Sequence, residues 1–284
     1  MRTIAHISDL HFGRTDPKVC CALLDDLHEL APSLVAVSGD LTQRAKPREF
    51  REAARFLEAL PGPWLAVPGN HDIPLYDIVR RTFSPLARFK KYICTDLNPV
   101  FVDDEIMVLG LNTARSMTIK NGRVSAAQIA RIRERLLHEP KDRTPFKVLV
   151  THHPFVPTAG TPSSDLVQRG ELALAALEEW GADLLLAGHL HRSYTDDVRA
   201  HNLRIRRSIL IAQAGTAIST RHRGEPNGYN LVTIERGRVS IELRDFDGTH
   251  FRPSRTILYR CDGGEWQTSG VEAVTASSSP SAPA

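Results

Sequence analysis

The chain has no uninterrupted apolar run near the roughly 18 residues that a membrane-spanning helix needs. Its N-terminus, MRTIAHISDL, carries neither a long apolar core nor a small-residue cleavage site, so it does not read as a secretory signal, and a cytoplasmic protein is expected. Four cysteines are present, Cys20, Cys21, Cys94 and Cys261. Two are adjacent and none is spaced C-x-x-C, so they read as reduced thiols in place of a disulfide framework or a thiolate metal site. Charge of one sign is also missing: 36 basic against 33 acidic side chains leave a formal +3. That balance, with no added basic domain, argues against a specific nucleic-acid binder. No internal repeat is found.

What is there is an ordinary globular composition, 42% hydrophobic and 24% charged over 284 residues. Such a chain can bury a core without a structural metal, so a bound metal is free to serve chemistry. Apolar runs alternate with helix-period segments. Thr3–Ser8 reads as a strand, and Asp16-Pro17 caps a helix with Val19, Leu23, Leu27 and Leu30 on one face. Leu34–Ser38 is a second strand, Pro47 opens a helix with Phe50, Ala54, Leu57 and Leu60 inward, and Trp64–Val67 is a third strand. This order predicts right-handed crossovers and a parallel core sheet. Ile106–Asn112, a helix capped by Ser125 with Ile129, Ile132 and Leu136, Phe146–Thr151, a helix over Gly170–Trp180, and Leu184–Ala187 continue it. Beyond His191 the segments Ser208–Gln213, Tyr229–Glu235, Arg238–Phe246 and Arg255–Arg260 read as antiparallel strands, with a turn at Arg236-Gly237. The domain is expected to span 1–262 and 263–284 to be a disordered tail, and deleting Gly264–Ala284 is expected to leave metal content and turnover nearly unchanged.

Five short segments each stand where a predicted strand ends: Asp9-Leu10-His11, Gly39-Asp40, Gly69-Asn70-His71-Asp72, His152-His153-Pro154 and Gly188-His189-Leu190-His191. Ligands gather at the carboxyl ends of strands in open α/β sheets, so five such loops converge on one rim. Carboxylate, imidazole and amide oxygen suit manganese, iron or zinc, and no thiolate is present to favour a softer metal. Any one segment alone is better read as a surface loop, a turn or a satisfied core histidine. All five in order, each after an apolar strand, point to a metal centre.

In this order and spelling, SDLHFG, SGDLTQ, PGNHD, THHP and AGHLHR, the segments resemble the calcineurin-like metallophosphoesterases. The spelling is most similar to the bacterial class III cyclic-nucleotide phosphodiesterase branch. The motifs run from position 8 to 192, about two-thirds of the chain, and specify the superfamily far better than the substrate. The resemblance implies a four-layer α/β/β/α sandwich with two central mixed sheets. It implies two divalent or mixed-valence ions, manganese or iron foremost and zinc allowed. One ion takes Asp9, His11 and His191, the other Asn70, His152 and His189, with Asp40 bridging. His152 is preferred to His153, which orients the loop. His71 lies beside the metals as the general acid, and Asp72 either fixes the tautomer of His71 or only caps a helix. A water activated between the two ions attacks phosphorus in line, and Ser8 and Ser38 are left as strand residues.

The expected activity is hydrolysis of a small nucleotide or related phosphodiester. The alternatives are a hydrolase of a lipid-linked phosphoester or pyrophosphate, such as a UDP-sugar lipid or a glycerophosphodiester, and a catalytically silent interaction module on the same scaffold. The partner is a small-molecule phosphoester, and the oligomeric state is open, a homodimer included. Three basic segments remain. Arg204, Arg206 and Arg207 read as a solvated face of a strand, and Arg221-His222-Arg223 as a loop able to reach a substrate phosphate. Residues 73–96 place Leu75, Ile78, Phe83, Leu86, Phe89 and Tyr92 among Arg80, Arg81, Arg88, Lys90 and Lys91. That stretch is either core packing with a basic outer face or a lid in peripheral contact with an anionic membrane.

Overall fold

The structure, a computed structural model, describes residues 1–116, 121–138, 145–157, 165–201, 204–221 and 224–273, with side chains described as far as Glu134 in the helix that ends at 138. Apolar residues on both faces of short strands dictate the architecture. Strands β1 (Arg2–Ile7), β2 (Leu34–Val37) and β3 (Trp64–Ala66) pair in parallel, joined through helices α1 (Pro17–Leu30) and α2 (Pro47–Glu58). Strand β1 also pairs antiparallel with β10 (Gly228–Glu235), which leads into β11 (Arg238–Phe246), β12 (Phe251–Asp262) and β13 (Glu265–Ala273). The result is one sheet ordered β13-β12-β11-β10-β1-β2-β3.

A second sheet is built from β4 (Val100–Val102), β5 (Ile106–Leu111), β6 (Phe146–Thr151), β7 (Leu184–Ala187), β8 (Tyr194–Asp197) and β9 (Leu210–Gln213), ordered β4-β5-β6-β7-β9-β8. Its helices are α5 (Ala126–His138) and α6 (Gly170–Trp180), while α3 (Ile78–Phe83) and α4 (Ala87–Tyr92) follow β3. Alternate residues of each strand feed different cores. Ala5, Ile7, Val35 and Val37 pack against Leu23, Phe50 and Leu57 of α1 and α2. Ile4, Leu34 and Ala36 meet Val148, Leu184 and Leu210 between the two sheets. Leu149, Leu185 and Ile211 pack against Ile132, Leu174 and Trp180 on the other side. Three apolar layers between four structural ones give the expected α/β/β/α sandwich with two mixed sheets.

Several local readings change. Helix α1 starts as read, with the Asp16 side chain accepting from Lys18 N–H at 2.9 Å. In α2 the inner face is Phe50, Ala53, Phe56 and Leu57, and Ala54 is only half-buried. Strand β9 pairs antiparallel with the short edge strand β8, as read, and on its other side pairs parallel with β7. Arg204, Arg206 and Arg207 lie in a loop, tied to acids: Arg204 pairs with Glu171 at 3.0 Å and Arg207 with Asp183 at 2.7 Å. The tail reading from Gly263 fails as far as Ala273. Gly263-Gly264 is a turn, and β13 pairs with β12 while burying Trp266 in the inter-sheet core. Backbone pairing and a single indole stabilise a segment whose average composition is polar. Residues 274–284, like His222 and Arg223 and the side chain of Leu136, lie outside the described residues.

Candidate metal centre

Strands β1, β2 and β3 of one sheet and β6 and β7 of the other end at a common rim, and each of the five segments is the loop that leaves one of these ends. The loops are stitched by backbone bonds: His11 N–H to the Asp40 carbonyl at 2.9 Å, Gly188 N–H to the His152 carbonyl at 3.0 Å, and Ala217 N–H to the Ser8 carbonyl at 3.0 Å. Asp9, His11, Asp40, His189 and His191 all have positive φ, between 48° and 74°. Among the described non-glycine residues only Ala31, Ala45 and Arg169 share that conformation. Left-handed backbone at a side chain costs roughly 1–3 kcal/mol and persists where surrounding structure over-determines it. Here it turns five side chains off strand ends into one place. Two glycines permit the approach: a Cβ at Gly69 would stand 2.1 Å from Asp40 Oδ1, and one at Gly188 1.8 Å from Ser8 Oγ.

Two donor groups result. Asp9 Oδ1 lies 3.6 Å from His11 Nε2 and 3.5 Å from His191 Nε2. Opposite, Asn70 Oδ1 lies 3.1 Å and His189 Nδ1 3.3 Å from His152 Nε2. The Asp40 carboxylate stands between them, Oδ2 3.8 Å from His11 Nε2 and Oδ1 3.4 Å from His152 Nε2. The Asp9–His11–His191 and Asp9–Asp40–His152 sets each hold their donor atoms within 4.8 Å of one another, the spacing of atoms around a cation. A third such set joins His152, His153 and His189. His153 Nδ1 pairs with Thr113 Oγ1 at 2.8 Å, whereas His152 gives Nδ1–H to the Ser38 carbonyl at 2.8 Å and turns Nε2 to Asp40 and Asn70. That geometry favours His152 as the donor of the pair.

Burial would push the Asp9 and Asp40 carboxyls up, but the imidazoles around them outweigh it and hold both below the usual carboxylate range. Burial lowers His189 to about 4 and also lowers His191 and His71. His152 moves up despite burial, because Asp40 and Asp9 face it. Asp9 Oδ1 and both ring nitrogens of His11 are buried without a hydrogen-bond partner among the described residues. Neither carboxylate is paired with a lysine or arginine there. A buried acceptor left so costs about 1–3 kcal/mol, more when charged. Ionised carboxylates, imidazole nitrogens and unpartnered donor atoms fit divalent cations.

The profile of the family described as calcineurin-like phosphoesterase matches residues 2–193. The chain belongs to that family. Its class of chemistry is phosphoester hydrolysis. It is similar to a probable cyclic nucleotide phosphodiesterase of Synechococcus sp., 25% identical over 267 residues that cover 88% of this chain and 95% of that one. A shorter match, 37% identical over 81 residues, joins 24% of this chain to 29% of a glycerophosphodiester phosphodiesterase, GpdQ, of Enterobacter lignolyticus. In fold it resembles the purple acid phosphatase PPD1 of yellow lupin, with a TM-score of 0.63 at 11% identity, covering 89% of this chain and about half, 52%, of that one. No helix among the described residues is long and apolar enough to cross a membrane.

This phosphoesterase site contains more than its five motifs. Ser8 Oγ donates to Asp9 Oδ2 at 2.7 Å and His189 N–H to the same oxygen at 3.0 Å, which leaves Oδ1 for the donor group. His191 Nδ1 pairs with Thr216 Oγ1 at 2.5 Å. Ser38 accepts from His152 through its carbonyl and meets the buried His6 through its hydroxyl at 2.9 Å. The sequence reading passed over both serines. The only trace of their role is that each precedes a motif, and Thr216 has no signal at all. Asp72 does not touch the His71 ring. Its carboxylate, raised to about 6 by burial and by Asp40, accepts from Gly69 N–H at 2.9 Å and from Thr42 N–H and Oγ–H, each at 2.9 Å. It clamps the loop after β2 to the loop after β3. His71 is instead oriented by Gln43, whose carbonyl accepts from Nδ1 at 2.9 Å. Arg221 reaches the other side of the ring, Nη1 3.1 Å from His71 Nε2 and 3.5 Å from Gln43 Oε1. Its loop is held to the loop after β1 by Thr220 N–H on the Arg14 carbonyl at 2.9 Å.

Proposed function

We propose that the protein is a binuclear metal-dependent phosphodiesterase acting on a small phosphodiester of the nucleotide or glycerophosphodiester class. The observation that carries this reading is the placement of Asp40 between two donor groups, with one oxygen toward each. Asp9, His11 and His191 hold one cation, and Asn70, His152 and His189 the other. When bound, such a pair supplies Lewis-acid activation of water and neutralises charge on the phosphoryl oxygens. Manganese and iron suit the oxygen- and imidazole-rich set best, and zinc is accepted.

The chain's own residues do the rest. Gln43 fixes the His71 ring with Nδ1 protonated, so Nε2 is the nitrogen that faces the substrate. In the resting site Nε2 accepts from Arg221. A diester anion draws the guanidinium to its non-bridging oxygens, where a charge-assisted hydrogen bond is stronger than one to a neutral imidazole. Released from Arg221, His71 Nε2 takes up a proton from solvent and gives it to the departing alkoxide, while the attacking water supplies the hydroxyl that replaces the alkoxide on phosphorus and returns its other proton to solvent. One arginine suits the single charge of a diester. The names of the relatives, a probable cyclic nucleotide phosphodiesterase and a glycerophosphodiester phosphodiesterase, agree with a diester substrate.

The test is a metal titration of chelator-stripped protein, followed by a screen of cyclic nucleotides, bis-p-nitrophenyl phosphate, glycerophosphodiesters, UDP-diacylglucosamine and matched monoesters. The expected result is two equivalents bound and diesters turned over faster than monoesters. Binding of one equivalent refutes the paired site, and preference for monoesters refutes the substrate class.

A further inference from the structure

Among the described residues nine large hydrophobic side chains are exposed, and five of them, Leu75, Tyr76, Ile78, Val79 and Phe83, fall within nine consecutive positions directly after the metal-site loop of β3. Tyr76, Ile78, Val79 and Phe83 are 71–83% exposed. Helix α3, which carries three of them, has no buried residue. It is inverted: Ile78, Val79 and Phe83 face solvent, while Arg80 and Arg81 lie on the half-buried side. The next helix is ordinary. Leu86 and Phe89 of that turn and helix are buried, and Tyr92 packs its ring on Phe50 of α2 at 6.1 Å. The stretch 73–96 therefore divides, its second half packed into the core and its first half turned out.

Cations frame the exposed face. Lys90 and Lys91 are exposed on α4, and the Arg44 guanidinium lies 5.4 Å over the Tyr76 ring. Residues 73–96 hold five basic and two acidic side chains, a formal +3, as large as the net charge of the whole chain. One of the two acids, Asp77, is paired with Arg80 and caps α3. A cleft of about 450 Å³ is lined by Phe83 together with Ile73, Leu86, Leu97 and Lys90.

We infer that this face docks on an anionic phospholipid surface, with Tyr76, Ile78, Val79 and Phe83 entering the headgroup boundary and Lys90 and Lys91 meeting lipid phosphates. Contiguous exposed apolar groups mark an interaction site, and an apolar face bordered by lysines matches the layered chemistry of an anionic bilayer. A second copy of the chain is disfavoured as occupant, because a two-fold interface sets the exposed Lys90 and Lys91 against the same lysines of the other copy. The inference concerns the surface beside the metal centre and stands whatever the substrate proves to be.

Metal-loaded full-length protein is sedimented with vesicles of phosphatidylcholine alone and of phosphatidylcholine with phosphatidylserine. The protein is expected to pellet with the anionic vesicles only, and high salt is expected to release it. Lys90→Gln with Lys91→Gln lowers the partition coefficient on the order of 25-fold, at about fivefold for each cation near the surface. Val79→Ser with Phe83→Ser lowers it as well, and both variants keep wild-type turnover of a soluble aryl diester. Equal pelleting of wild type and both variants overturns the inference. So does failure to bind anionic vesicles, or a concentration-dependent dimer that Phe83→Ser dissolves, which assigns the face to a second copy.

Discussion

Replacing Arg221 with alanine separates substrate anchoring from metal binding. Arg221 touches His71 Nε2 and Gln43 Oε1, and its charge is one of several that lower the donor His191. Its loss leaves both donor groups intact and removes one charge-assisted hydrogen bond to the substrate anion, worth about 1.5–3 kcal/mol. That predicts a fall in kcat/KM of about 10- to 150-fold for a diester. The arginine also bears on protonation. Burial is the main cause that holds His71 below its ordinary value, and the Arg221 charge adds to it. A general acid loses activity as pH rises through its pKa. Removing the cation raises that pKa, so the alkaline limb of the kcat/KM profile moves to higher pH in Arg221→Ala. In Arg221→Lys the charge stays, and the limb moves less while part of the affinity returns. The measurements are pH–rate profiles on bis-p-nitrophenyl phosphate and on an alkyl diester, with metal content read in parallel. A kcat/KM within twofold of wild type and an unmoved limb refute the role, and loss of a metal equivalent places Arg221 in the support of the donors.

Asp40→Ala is the most damaging donor change, because its carboxylate turns one oxygen to each group; loss of both metals in elemental analysis is expected, and retention of two equivalents contradicts bridging. His71→Ala keeps both metals and slows alkyl diesters by about 10²–10⁴-fold, with a smaller loss on aryl esters whose leaving groups need little protonation. Loss of one equivalent in that variant makes His71 a ligand. Truncation after Gly264 removes β13 and the buried Trp266, and lowers stability by about 3–5 kcal/mol on the scale of a lost core aromatic. An unchanged Tm in thermal unfolding would return the segment to a dispensable tail.

The order of elements and the rim on which the site stands were legible in the sequence, because both rest on local signals. Four-residue runs such as LVAV and LLLA are apolar throughout, since each strand feeds a core on either face. Asp16-Pro17 starts α1 by capping chemistry that involves its own neighbours alone. The metal motifs are legible for a similar reason: cation ligation demands residue types that few other roles tolerate so densely. The inverted face of α3 was not legible, since Phe83 and Phe89 are alike in sequence and only packing against α2 separates the exposed ring from the buried one. Strand β13 escaped because its pairing partner, and not its composition, makes it a strand.

What the sequence by itself determined is the set of candidate donors, their order and the strand ends that carry them. Tertiary structure alone decided their supports. Ser8 on Asp9, Thr216 on His191, Gln43 on His71 and Asp72 across two loops are hydrogen bonds between groups brought together by folding, and polar residues of these types are common enough that none announces its partner. Arg221 is the clearest case. It lies 150 positions from His71 along the chain, and a loop anchored on Arg14 brings it within 3.1 Å.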